Sequence, residues 1–144
     1  MKSEKRMKVL VIHHDVGASC AYSAIARSGG LEAFACEDTA DVIAAIQAND
    51  IDVLILDYDS RTGFEPLRQV CHAGFQIPAI LITAHEVDQR EAMNLGVKVI
   101  LTKPPDLAKL RGSLAALSTP IVPVPDIKVL FQFLERCEAA HHRK

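Results

Sequence analysis

The stretch from Ile51 to Asp59, IDVLILDYD, decides the fold that this sequence predicts. Four successive apolar residues, Val53 to Leu56, run directly into an aspartate, Asp57. A short, continuous apolar run is typical of a strand that is buried on both faces of a parallel sheet. Ligands bind outside the carboxyl ends of such strands, so Asp57 is expected at a functional edge. Taken alone, an aspartate more often starts a turn or caps a helix, so the other strands must decide.

The composition is that of a globular domain with a short extension. The 144 residues are 49% hydrophobic and 24% charged, which is enough for one packed core. The net charge of −2 argues against a nucleic-acid surface. No apolar run suits a membrane span or the core of a signal peptide, and the four cysteines are scattered as in a reducing compartment. We therefore expect a cytoplasmic protein with no membrane partner.

Further apolar runs alternate with segments of helical pattern along the chain. The other predicted strands are residues 8–12, 31–35, 78–82 and 97–101. The predicted helices are residues 17–27, 38–49, 64–73, 88–95 and 106–117. Strands that alternate with helices over short connections form a parallel sheet with helices on both faces. The sequence therefore predicts an α/β, doubly wound fold.

Helical spacing also predicts which side chains face the core in the first and last of these helices. In the first helix the spacing predicts that Ala21 and Ile25 face inward. In the last helix the inward positions are predicted to be Leu107, Leu110, Leu114 and Leu117. Pro66 is tolerated only near a helix start, so the third helix is expected to begin at Phe64 or Glu65.

A proline-rich segment follows the last helix. Residues 119–125, TPIVPVP, favour an extended linker, and Asp126 can then cap an extra helix within residues 126–144. The apolar stripe of that helix is broad for a lone exposed helix. The helix either folds back onto its own sheet or packs against a second copy, which we favour because the linker holds it off the core. The expected organisation is a domain at 1–118, a linker at 119–125 and a dimerisation or docking helix at 126–144.

Polar residues follow four of the five predicted strands. The triplet His13-His14-Asp15 follows the first strand, Asp57 the third, Thr83 the fourth and Lys103 the fifth. The carboxyl ends of parallel strands meet at one edge, so we expect these side chains to gather there. A carboxylate can accept phosphorus covalently, a lysine can neutralise phosphoryl charge, and a hydroxyl can donate to a phosphoryl oxygen. The pattern therefore predicts a phosphoryl site.

These residues, in this order, give the chain a family resemblance from about Lys8 to Leu117. It resembles the receiver domain of bacterial two-component response regulators, of the chemotaxis Y protein type, through VLILD, ILITA and LTKPPD. The resemblance implies a flavodoxin-like (βα)5 sheet with strand order 2-1-3-4-5. It also implies that Asp57 is the phosphoacceptor, Thr83 the switch hydroxyl and Lys103 the site lysine. A cis peptide bond between Lys103 and Pro104 is a further expectation.

The positions that would hold a metal ion depart from the family pattern. His13 and His14 replace the acidic pair that holds Mg²⁺ in this family. Magnesium prefers hard oxygen ligands, whereas imidazole suits transition metals. We expect a weakened Mg²⁺ site, although Asp15, Asp57 and Asp59 keep carboxylate oxygens nearby.

Two other departures concern the switch and a loop. Ile100 occupies the position where the family usually has an aromatic switch residue, two residues before the threonine of Thr-Lys-Pro. The loop from Asp57 to Gly63 is shorter than usual and lacks the usual proline. Both departures put the usual signalling response of the family in question.

Two functional hypotheses remain open. The first is an atypical single-domain response regulator that accepts a phosphoryl group on Asp57. Its donor would be a sensor histidine kinase or a phosphotransfer protein, and it would act through protein–protein contacts. The second is a phosphorylation-independent pseudo-receiver that works as a binding or dimerisation module. We place the first slightly ahead because Asp57, Thr83 and Lys103 are all present.

Metal binding and enzymatic activity are less favoured. A transition metal held by His13, His14, Asp15 and Asp57 is disfavoured because adjacent strand residues point to opposite faces. The sequence also has no Gly-x-Gly-x-x-Gly, no Walker loop and no Ser-His-Asp order. We expect no enzyme, and we assign no residue to a metal or to an organic cofactor; the cofactor itself stays open, with a weakened Mg²⁺ site.

Overall fold

The computed structural model describes residues 6–37 and 39–118, within which five strands alternate with five helices. The strands are β1 (Lys8–Ile12), β2 (Glu32–Cys36), β3 (Val53–Asp57), β4 (Ala79–Thr83) and β5 (Val97–Thr102). The helices are α1 (Val16–Ser28), α2 (Thr39–Asn49), α3 (Glu65–His72), α4 (Gln89–Asn94) and α5 (Leu107–Ser118). The predicted elements are confirmed, and α3 begins where Pro66 requires it to.

The sheet is parallel throughout, with the strand order β2-β1-β3-β4-β5. This order confirms the flavodoxin-like arrangement that the family resemblance implied. All five residues of β3 and all five of β4 are buried, whereas the edge strands β2 and β5 mix buried and exposed positions. Continuous apolar runs therefore mark the central strands, and interrupted runs mark the edges.

Helices cover both faces of the sheet, so each face has its own core. Alternate residues of a strand point to opposite faces. Leu54 and Leu56 lie in the core that also holds buried residues of α2, α3 and α4. Val53 and Ile55 lie in the core with buried residues of α1 and α5. The β3 strand thus ties the two layers together.

The inward face of α1 differs from the prediction. Its buried residues are Ser19, Tyr22, Ser23 and Ala26, whereas Ala21 is exposed and Ile25 is half-buried. Ile25 nevertheless packs against the same core, so the apolar spacing located one side of the inner face and missed the small serines within it. In α5, Leu110 and Leu114 are buried as predicted, but Leu107, in the first turn, is 44% exposed.

The predicted linker at 119–125 and the predicted helix at 126–144 lie outside the described residues. None of the helices in residues 6–37 and 39–118 combines the length and the apolar character that a membrane crossing requires.

The central position of β3 predicts a large loss of stability when its core is emptied. Leu54 is fully buried. Leu54→Ala should lower the free energy of unfolding by about 2–5 kcal/mol, because buried methyl groups are lost and a cavity remains. Urea unfolding followed by far-UV circular dichroism measures this. Val16→Ala, at a side chain that is 65% exposed, is the control and should change it by less than about 0.5 kcal/mol. Equal effects of the two variants would contradict the central position of β3.

Candidate functional site

The carboxylate of Asp57 lies at the carboxyl end of β3 and is almost completely buried. Only 3% of the residue is exposed, and its Oδ1 atom contacts the Nζ atom of Lys103. Neither carboxylate oxygen accepts a hydrogen bond from the described residues in the usual geometry. Burying a charge costs several kcal/mol unless an opposite charge accompanies it. The ion pair with Lys103 is therefore the main compensation for the buried carboxylate.

Backbone contacts hold Lys103 across the sheet edge. Lys103 directly follows β5, and its backbone N–H donates to the carbonyl oxygen of Thr83 over 2.8 Å. Its Nζ atom also donates to the carbonyl oxygen of Tyr58 over 3.4 Å, beside Asp57. The Lys103–Pro104 peptide bond is cis, as the resemblance implied. The lysine side chain thus spans from the end of β5 to the end of β3.

Thr83 ends β4, the strand between these two. The residue is 2% exposed, and its hydroxyl forms a local turn: Oγ1 accepts from the N–H of His85 at 2.9 Å and donates to the carbonyl oxygen of His85 at 3.1 Å. Pairing of Asp57 with Ile82 and of Thr83 with Thr102 places the three strand ends side by side. The predicted gathering of these residues at one edge is therefore found.

The two histidines after β1 have different environments. His13 is buried, and its Nδ1 atom has no hydrogen-bond partner among the described residues. The side chain of His14 is 36% exposed, and its Nδ1 atom lies 3.7 Å from Oδ2 of Asp57 and 3.9 Å from Oδ2 of Asp59. These distances are too long for hydrogen bonds, but a protonated imidazole would interact with both charges. His14 therefore faces the site, and His13 does not share it.

Asp59 is held by a neighbour that the sequence did not indicate. Its Oδ2 accepts from Nε of Arg61 at 3.0 Å, and its Oδ1 accepts from the Arg61 N–H at 3.1 Å. These hydrogen bonds lower the pKa of the Asp59 carboxyl, so it stays ionised beside His14. The side chain of Asp59 thus accepts from the backbone N–H two residues on, as aspartates in tight turns do. The sequence alone did not indicate this turn, because the path of the short loop is needed to recognise it.

Tyr22 is a second residue that sequence reasoning missed. It lies on the inner face of α1 and is 4% exposed. Burial, and then the charges of Asp57 and Asp15, raise the pKa of Tyr22 to about 12. Both carboxylates therefore act on this phenol electrostatically. The sequence pattern singled out Ala21 and Ile25 on α1, so it did not indicate that Tyr22 lies on the inner face of this helix.

The oxygen ligands at this edge do not suit Mg²⁺. Asp15 caps α1 by accepting from the Gly17 N–H at 3.0 Å, and Lys103 contacts Asp57. The imidazole of His14 faces the remaining carboxylates. Across residues 6–37 and 39–118, no group of three or more His, Cys, Asp and Glu side chains is arranged to hold a metal ion. The donor set of this site thus does not fit a hard, oxygen-coordinated cation.

Charge and shape together suit a single anionic group. One buried carboxylate lies between the ammonium of Lys103 and the imidazole of His14, with the hydroxyl of Thr83 on the adjoining strand end. A phosphoryl group on Asp57 would carry more negative charge than the free carboxylate does. The neighbouring ammonium of Lys103 would stabilise this additional charge. The arrangement therefore brings a carboxylate, an ammonium, an imidazole and a hydroxyl to one edge of the sheet.

Comparison with known proteins agrees with the family resemblance seen in the sequence. The family model described as the response regulator receiver domain matches residues 9–115. Response regulator protein PmrA of Pseudomonas aeruginosa is 34% identical in an alignment of 95 positions, which covers 61% of this chain and 43% of PmrA. The chain therefore spans less than half the length of this curated relative.

Solved structures share the fold at lower sequence identity. The receiver domain of Francisella response regulator 1452 has a TM-score of 0.69 and 21% identity, covering 78% of this chain and 97% of that one. A two-component response regulator from Clostridium difficile has a TM-score of 0.71 and 20% identity, covering 81% and 99%. At these identities the likeness concerns the fold alone.

The environment of Tyr22 predicts a late ionisation that depends on Asp57. The chain has two tyrosines, so Tyr58→Phe leaves Tyr22 as the one phenol to titrate. We expect a tyrosinate absorbance midpoint at about pH 12. Asp57→Asn in the same background should lower that midpoint but leave it above 10, because burial is the larger cause.

The raised pKa of Tyr22 also determines how the stability of the fold changes at high pH. The pKa of Tyr22 is higher in the folded chain than in the unfolded one. The neutral phenol therefore stabilises the fold fully below pH 10, and this contribution disappears as the pH rises through about 12. Circular dichroism at each pH monitors the fold. A midpoint at the ordinary value in a folded chain would contradict the buried position of Tyr22.

Proposed function

We propose a function for this chain from the premise that it belongs to the family of response regulator receiver domains. Members of this family are signalling modules of two-component systems and are generally not enzymes. We propose that this chain is an atypical phosphorylated switch, with Asp57 as its phosphoacceptor. A single observation carries the proposal: a buried carboxylate contacts Lys103 at a sheet edge that it shares with Thr83.

The chemical step needs a donor with a reactive phosphorus–nitrogen bond. A phosphohistidine on a sensor histidine kinase or a phosphotransfer protein is such a donor. An oxygen of Asp57 attacks phosphorus, the new P–O bond forms as the P–N bond breaks, and the departing imidazole keeps the bonding electrons and takes up a proton. Lys103 offsets charge on the phosphoryl oxygens throughout.

His14 places an imidazole at this site, where the family pattern has carboxylates. Its Nδ1 atom lies 3.7 Å from Asp57. A protonated His14 would reduce the repulsion between the Asp57 carboxylate and an incoming phosphoryl group. The same positive charge would also hold the carboxylate and hinder its attack on phosphorus. Because the donor set does not fit Mg²⁺, transfer should be slow relative to a site with an oxygen-coordinated ion.

Thr83 is the proposed reporter of the phosphorylated state. In the unphosphorylated chain its hydroxyl donates to the carbonyl oxygen of His85. A phosphoryl oxygen on Asp57 would compete for that donor and free the backbone after β4 to move. Ile100, on β5, is 36% exposed and offers an apolar contact without the polar tip that a tyrosine would supply. The response is expressed through contacts with other proteins.

A second function is favoured by the same ion pairs. Lys103 already contacts the Asp57 carboxylate and the imidazole of His14 lies 3.7 Å from it, so this carboxylate has a compensating charge without any phosphoryl group. A pseudo-receiver would use the fold as a binding or dimerisation module and would not depend on phosphorylation. The two functions differ in whether removing the Asp57 charge abolishes signalling.

The wider organisation is proposed on the sequence. Residues 1–118 form the receiver domain, 119–125 the linker, and 126–144 a helix that joins two copies or docks on a partner. We propose a cytoplasmic, non-enzymatic protein with a histidine kinase or phosphotransfer protein as its partner. The proposal includes neither a nucleic-acid nor a membrane partner.

Phosphorylation by acetyl phosphate tests the first function directly. Intact-mass spectrometry should show slow addition of one phosphoryl group to the wild-type chain and none to Asp57→Asn. Asp50→Asn is the matched control, because Asp50 is exposed and its φ of 52° is one that asparagine tolerates. His14→Asp, assayed with Mg²⁺, should react on the order of tenfold faster, because a carboxylate restores an oxygen ligand.

Two results would decide against phosphorylation. The first is no adduct from acetyl phosphate and none from a phosphorylated histidine kinase domain. The second is an Asp57→Asn variant that retains full activity in cells, which would favour the pseudo-receiver.

A further inference from the structure

An apolar groove lies at the end of the sheet opposite to Asp57. It has a volume of about 660 Å³ and is lined by residues that precede β4 and β5 and by the ends of α3, α4 and α5. Phe75 and Pro78 form part of its lining, together with Met93 and Leu95. Met93 is 69% exposed, the highest value among the exposed large hydrophobic residues of the described chain. A groove of this size and character is typical of a binding site.

The groove lies where the described chain ends. Ala116 and Leu117, in the last turn of α5, form part of its wall. The next residues are therefore delivered to its rim by the covalent chain. Ile121 is three residues beyond the end of α5 at Ser118, and extended backbone covers at most about 3.3–3.6 Å per residue, so Ile121 can reach roughly 10 Å from the helix end. That reach is comparable to the width of a groove of this volume.

The sequence that follows has the composition such a groove accepts. Residues 119–125, TPIVPVP, carry three apolar β-branched side chains between prolines: Ile121, Val122 and Val124. Proline-rich segments are already extended, so little conformational entropy is lost when they bind an apolar groove such as this one, in which Phe75 is the aromatic residue of the lining. A segment tethered this closely also binds as if it were present at millimolar concentration.

We propose that residues 119–125 of the same chain occupy this groove, with Ile121 and Val122 against Met93 and Leu95. This contact would fix the direction in which the following residues leave the domain. It would also leave the apolar stripe predicted for 126–144 free to pair with a second copy. The inference does not depend on the proposed phosphorylation, because the groove and Asp57 lie at opposite ends of the strands.

The thiol of Cys71 provides a direct probe, because it lines the groove and is exposed in the described structure. Its rate of alkylation by iodoacetamide, measured by peptide mass spectrometry on the full chain, reports whether the groove is covered. Cys20 is exposed on α1 away from the groove and is the internal reference. Buried Cys36 should stay unreactive, which monitors the integrity of the fold.

Two variants should uncover the thiol from opposite sides of the contact. Ile121→Asp combined with Val122→Asp changes the segment, and Met93→Glu changes the groove at an exposed side chain. Each should raise the Cys71 rate about tenfold relative to Cys20, which corresponds to about 1.4 kcal/mol of lost docking free energy. Val16→Glu, at a comparably exposed position outside the groove, should leave the ratio unchanged.

Three outcomes would overturn the proposal. An unchanged Cys71 rate in both variants would mean that the segment does not cover the groove. Protection of Cys71 that falls as the protein is diluted would identify a second copy as the occupant. Protection that appears only after a partner protein is added would identify that protein as the occupant. Loss of phosphorylation in Asp57→Asn, in contrast, should leave the Cys71 rate as in the wild type.

Discussion

A negative charge buried at the edge of an apolar sheet is the constraint on which the rest of this structure depends. Asp57 ends a strand with both faces covered by helices, so its carboxylate loses most of its hydration. Such a charge persists only beside an opposite one. Lys103 supplies this opposite charge. It can do so because β3, β4 and β5 are neighbouring parallel strands, so the ends of β3 and β5 lie at the same edge of the sheet. The sheet order and the site are thus two aspects of one arrangement.

The charge balance at this edge distinguishes the chain from the usual pattern of its family. Where that pattern has carboxylates after the first strand, His14 faces Asp57 and His13 is buried. An imidazole in place of anionic oxygens is a poorer ligand for a hard cation. The same scaffold can therefore host either a slow phosphoryl acceptor or an arrangement that needs no phosphoryl group.

The sequence predicted those features that can be recognised within a single segment, such as a strand and the residue that ends it. Continuous apolar runs located the strands, and residues at their ends, among them Asp57 and Lys103, located the edge of the sheet. Features that depend on relative orientation were missed. The phase of α1 hid Tyr22, because small serines fill positions that an apolar count assigns elsewhere. Asp15 was expected as a nearby oxygen ligand, and the structure shows that it also caps α1. The interaction of Asp59 with Arg61 could be recognised only from the path of a short loop.

A double-mutant cycle between Asp57 and Lys103 tests the central claim most directly. The free energies of unfolding of wild type, Asp57→Asn, Lys103→Met and the double variant give the coupling between the two side chains at neutral pH. The structure predicts a favourable coupling of about 1–3 kcal/mol, since each single variant leaves a poorly compensated group at a buried site. The pair of Asp59 and Arg61 should couple much more weakly, because the side chain of Arg61 is 79% exposed. A coupling for Asp57 and Lys103 that is indistinguishable from zero would contradict the account.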